Sequence, residues 1–100
     1  MLKRVYLSGP MSGLPEMNIP QFNAAAAALR GKGLEVVNPA EISVEQPGSW
    51  ERSMRADIKA LCDCDIIVLL PGWERSKGAH LELHIAHRVG LEVAYLEWLT

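Results

Sequence analysis

Apolar positions along the chain alternate between short continuous runs and stripes at helical spacing. Val5-Tyr6-Leu7-Ser8 follows a charged start and enters the turn signal Gly9-Pro10, which predicts a first strand over residues 3–8, buried on both faces. Asn18-Ile19-Pro20 offers a capping residue and an early-turn proline, and Phe22, Ala25, Ala26 and Leu29 then recur at helical spacing until Gly31 and Gly33. That is the first predicted helix. Residues 34–37 read as a short second strand closed by Asn38-Pro39, and residues 39–49, which lack a clear period, as a surface loop.

Ser49 or Gly48 caps a second predicted helix, with Met54, Ile58, Leu61 and Cys62 as its apolar stripe. Residues 65–70 contain Ile66-Ile67-Val68-Leu69-Leu70, a run without alternation, so this strand is expected to be central. After Pro71-Gly72-Trp73, Ser76 caps a third helix reaching about residue 89, Gly90 ends it, and residues 91–96 form a last strand. The order β-α-β-α-β-α-β predicts an α/β fold: helices on both faces of a four- to five-stranded parallel sheet, with binding chemistry beyond the carboxyl ends of the strands where their order reverses.

Composition narrows the function classes. One hundred residues, 49% apolar and 22% charged, suit one globular domain over residues 1–100, small enough that self-association into a homodimer or higher homo-oligomer is expected. Ten basic against twelve acidic side chains, scattered along the chain, argue against nucleic acid as a partner. No apolar run approaches a bilayer span, so no membrane association is expected. The start Met1-Leu2-Lys3-Arg4 lacks the apolar core of a signal peptide, which predicts a cytoplasmic location. Cys62 and Cys64 are poorly spaced to bridge each other and are expected as two reduced thiols.

The third helix carries the sharpest chemical signal. At about 100° per residue, Ala79, Leu81, Leu83, Ile85, Ala86 and Val89 share one arc, with Glu82 near its middle. A carboxylate aimed at the sheet must pair, protonate or face a polar cavity. Either a structural Glu with a satisfied partner or a site carboxylate fits that requirement, and the site carboxylate is the better account. Gly78, one turn earlier, leaves room for a ligand. Ser76 serves equally as a cap or as an anion contact at the helix start.

Ser8, Gly9, Met11, Ser12 and Gly13 make a small-residue loop after the first strand, where backbone amides approach a phosphate or sugar. It is neither a Gly-Lys-Ser/Thr phosphate loop nor a dinucleotide fingerprint. Asp57 reads as a surface acid or as a second carboxylate converging on the same crevice, and Tyr6 as a core tyrosine or as a phenol holding Glu82. Trp73 covers a bound base, packs against other aromatic rings or makes a subunit contact. His80, His84 and His87 fall on the solvent face without an acidic or cysteine partner, so no metal and no cofactor are expected.

In combination, Val5-Tyr6-Leu7-Ser8-Gly9-Pro10, the stretch 57–70 and Ser76-x-Gly78-x-x-x-Glu82-Leu83-x-x-Ala86 resemble the nucleoside 2-deoxyribosyltransferase superfamily, over nearly the whole chain. They look closest to a short phage and bacterial subgroup, related to deoxynucleoside 5'-monophosphate N-glycosidases. The resemblance implies a flavodoxin/Rossmann-like three-layer sandwich, a site completed between subunits, and a small-molecule nucleoside or nucleotide ligand. It implies Glu82 as nucleophile at C1' of a 2'-deoxyribosyl group, Tyr6 as its orienter and Asp57 as the acid at the leaving base. Ser76, where transferases tend to carry Asp, points to a 5'-monophosphate. Characterised relatives continue past the position of Thr100 and lend a C-terminal polar residue to the neighbouring site. Three expectations therefore remain: an enzyme in which the 39–49 loop substitutes, a non-catalytic nucleotide-binding module of the same fold, or a subunit-interaction protein with a vestigial crevice.

Overall fold

Four parallel strands in the order β2-β1-β3-β4 form the sheet of the computed structural model, which describes residues 3–45 and 48–100. The strands are β1 (Arg4–Ser8), β2 (Glu35–Val37), β3 (Ile66–Leu69) and β4 (Glu92–Tyr95). Helices α1 (Ile19–Gly31), α2 (Pro39–Glu45), α3 (Trp50–Leu61), α4 (Lys77–Arg88) and the short α5 (Leu96–Leu99) complete it. The expected α/β sandwich is therefore present, with a Cα radius of gyration of 12.3 Å. Among the described residues, no helix is long and apolar enough to cross a membrane.

β1 sits inside the sheet, so both of its faces are covered. Val5 and Leu7 point into a core with Phe22, Ala25, Ala26 and Leu29 of α1, Ala40 of α2, and Val68 and Leu70. Tyr6, from the opposite face, packs with Leu61 of α3, Ile67, Leu69 and Ala86 of α4. This two-residue alternation hands every even position of β1 to the α3/α4 side. The chain leaves β1 toward β2 on one side and returns to β3 on the other, so the strand order reverses between β1 and β3. A crevice is expected above that pair.

Three local expectations are corrected. Residues 39–45 are not loop but α2, because Asn38 accepts a hydrogen bond at Oδ1 from the Ala40 amide, at 3.0 Å, and Pro39 supplies a preset first turn. Asn18 does not cap α1; its φ is 59°, and its side-chain amide donates to the Pro10 carbonyl at 2.9 Å, tying the helix start to the loop after β1. On α4, Leu81 and Val89 are 37% and 55% exposed, so the buried stripe narrows to Ala79, Glu82 and Ala86.

The segment before α1 is unusual. Pro15–Asn18 forms a tight turn in which Glu16, Met17 and Asn18 all have positive φ, 53°, 55° and 59°. Each such L-residue costs about 1–2 kcal/mol relative to the right-handed form.

Candidate active site

In a parallel sheet the loops that leave the strands' carboxyl ends gather at one edge, and here the loop after β1 meets the first turns of α3 and α4. Between them and the loop after β1 lies a cleft of about 880 Å³, within the size range of small-molecule sites. Gly9, Met11, Ser12, Asp57, Ser76, Gly78 and Glu82 line it together.

Glu82 faces the sheet and is 5% exposed. The Tyr6 hydroxyl donates to its Oε2 at 2.5 Å and the Ser8 hydroxyl to its Oε1 at 2.7 Å, so each carboxyl oxygen has its own donor. Residues two apart on a strand share a face, which is why one carboxylate meets both hydroxyls. Burial raises the Glu82 carboxyl; the two hydroxyls and the nearby Asp57 charge modify that rise, and it stands at about 7. Burial and the Glu82 and Asp57 charges hold the Tyr6 phenol well above its ordinary value, so it remains a neutral donor.

Asp57 is 6% exposed on α3, and its Oδ1 has no hydrogen-bond partner among the described residues. Burial pushes its carboxyl up to about 6. Two inward-facing acids thus border one cleft, one clamped by hydroxyls and the other unpartnered.

The remaining predicted site residues divide. Ser76 caps α4, accepting from the Ala79 amide at 3.1 Å, and its hydroxyl reaches the Gly9 carbonyl at 3.4 Å. Gly9 permits close packing: a Cβ there would lie 2.9 Å from Leu70 Cβ. At Gly78 the room is used by Met54, whose Sδ would stand 3.3 Å from an added Cβ, while the backbone still borders the cleft. Ser8 is fully buried and meets Glu82 rather than the cleft wall. Gly13, at φ 82°, turns the chain outside the lining. Trp73 also lies outside it, with its ring 5.3 Å from His80 and 6.3 Å from Tyr95.

Residues not predicted as site residues also reach the cleft: Trp50 and Glu51 at the start of α3, Met54, read from sequence as core, and Arg75 and Lys77. Lys77 Nζ stands 4.8 Å above the Trp50 ring, a cation-π contact between the two helix starts. Their signal was positional, since Trp50, Glu51 and Met54 lie in the first turns of α3 and Arg75 and Lys77 flank the start of α4. Among the described residues, no group of three or more His, Cys, Asp or Glu side chains is arranged to hold a metal ion, and His80 bonds the Glu74 carbonyl at 2.7 Å.

Fold and site together define an α/β protein with an acid-bearing, ligand-sized cleft at its switch point. The chain belongs to the family described as Domain of unknown function (DUF4406), whose model matches residues 3–95. Among solved structures, it is similar to the CMP N-glycosidase BcmB of Clostridium botulinum. The identity is 26% and the TM-score 0.65, over 93% of this chain and 67% of that one. No curated protein matches it. The relative's chemistry is of the kind that the sequence resemblance implies.

Proposed function

We propose that the protein cleaves or transfers the N-glycosidic bond of a 2'-deoxynucleoside, carried as its 5'-monophosphate, through a covalent intermediate on Glu82. The observation that carries this reading is a buried carboxyl, held at both oxygens, bordering a cleft that it shares with a second, unpartnered acid. Similarity to a CMP N-glycosidase supports the same class of bond.

Glu82 forms a bond to C1' as the C1'–N bond breaks, and the electron pair leaves on the base nitrogen, which takes a proton from Asp57. Water or a second base then attacks C1' and releases Glu82, and the Asp57 carboxylate collects the attacker's proton. Taken singly, values of about 7 for Glu82 and about 6 for Asp57 would put a shared proton on Glu82. The two hydroxyls that donate to Glu82 already hold it down to that value, and the two acids lie close enough to titrate as a pair, so near neutral pH a share of the molecules carries the proton on Asp57 and the charge on Glu82. It is that form which reacts.

Tyr6 orients the nucleophile; Gly9, Met11, Ser12, Ser76 and Gly78 border the sugar and phosphate. Gly13 shapes the loop that carries Met11 and Ser12. The test is incubation with ribo- and deoxynucleoside 5'-monophosphates, reading free base by chromatography and a glycosyl adduct on Glu82 by mass spectrometry. Release of base by the wild type and none by Glu82→Gln is the expected result. Tight binding without release by the wild type overturns catalysis and leaves a nucleotide-binding module.

A further inference from the structure

Ser8 is a polar residue in an apolar position. It ends the interior strand, pairs in register with Leu69 of β3, and has 0% exposure. An alanine would fill that place without leaving a hydroxyl to satisfy. Among the described residues, the only hydrogen bond its side chain makes is to Glu82 Oε1, so the hydroxyl has no other structural task. One donor on one oxygen lets a carboxylate pivot about that contact. A donor on each oxygen fixes its plane, and both Tyr6 and Ser8 reach Glu82 from the same face of β1.

Protonation meets an obstacle here. A neutral Glu82 carries its own O–H, which collides with one of the two incoming hydroxyls unless that hydroxyl turns away and accepts instead. Two donors therefore favour the charged form against the burial that opposes it.

We propose that Ser8 is a positioning residue which, through its hydrogen bond to Oε1, holds the Glu82 carboxylate ionised and in one orientation. This deepens the glycosidic reading of the site and takes its functional meaning from it. The titratable groups that act on Glu82 are Tyr6 on β1 and Asp57 on α3; Glu51 on α3, Arg75 just before α4 and Lys77 at its start are the other charged side chains of the cleft lining. Ser8→Ala alters none of them.

The experiment is a pH titration of the Glu82 carboxyl carbon by NMR in ligand-free, 13C-labelled protein, for the wild type, Ser8→Ala and Ser8→Cys. In Ser8→Ala the midpoint is expected to rise by about one pH unit, the effect of losing one hydrogen bond to a charged group. Ser8→Cys, close in size but a weak donor, falls between. Where a nucleotide is cleaved, the ionised fraction at pH 7 drops roughly fivefold and kcat with it, at unchanged KM, and raising the pH restores the rate. A merely structural serine would lower stability without moving the midpoint. A Ser8→Ala midpoint at the wild-type value overturns the proposal, whatever the nucleotide panel shows. A moved midpoint upholds it, even in a protein that releases no base, and in that case it is the glycosidic reading that fails.

Discussion

Glu82 is costly to the fold it serves. Its carboxyl rises from an ordinary 4.5 to about 7 on burial, so between those pH values the folded chain binds the proton more tightly than the unfolded one. Stability therefore falls as pH climbs through that window and levels off above it. Asp57, raised from 3.8 to about 6, contributes with the same sign. Glu82→Gln, which carries no charge, is expected to exceed the wild type in stability at pH 8 by up to about 3 kcal/mol and to lose that advantage by pH 4. Urea unfolding at the two pH values measures both. A variant no more stable than the wild type at pH 8 would mean that the carboxyl is solvated.

At the scale of elements, two positions show how the cleft is braced. Gly9 lets the end of β1 approach β3, and an added Cβ would sit 2.9 Å from Leu70 Cβ, inside contact distance. Gly9→Ala is expected to cost about 1–3 kcal/mol through forced displacement of backbone or of Leu70, read as a lower unfolding midpoint. Asn38 is 2% exposed, caps α2 and donates to Asn23 Oδ1 at 2.9 Å. Asn38→Ala removes both bonds and is expected to cost about 1–2 kcal/mol, with a loss of helical circular dichroism confined to the size of α2. That helix escaped a reading based on periodicity because seven residues span barely two turns, too few for a stripe; Asn38-Pro39 was its only mark. The longer elements were legible. β3 is continuously apolar, and α3 and α4 start at Ser49 and Ser76, whose hydroxyls accept from Arg52 and Ala79 as their caps predicted. The left-handed turn at Glu16 to Asn18 was hidden, since only Asn18 is of a residue type that favours positive φ.

For the whole molecule, strand order decides where chemistry can occur. The alternation of strands and helices predicted a parallel sheet, and Glu82 as a polar residue in an apolar arc pointed to the inner face of α4. Both emerged from periodicity alone. The cleft's outer wall did not, because Trp50, Arg75 and Lys77 look like ordinary surface residues until the topology brings two helix starts together. If a nucleoside monophosphate occupies this cleft, concentrations near 100 times its Kd are expected to raise the melting temperature by roughly 10–20 °C. Thermal scanning against inorganic phosphate and free nucleoside as separate ligands shows which part of the molecule supplies the gain.

The two hydroxyls that grip Glu82 belong to the innermost strand, at full burial, whereas the cleft's rim is built from side chains at the mouths of two helices. A division of labour follows: substituting Tyr6 or Ser8 disturbs the packed centre of the molecule, whereas Trp50, Arg75 and Lys77 can be exchanged at the cleft's border at little cost to the sheet.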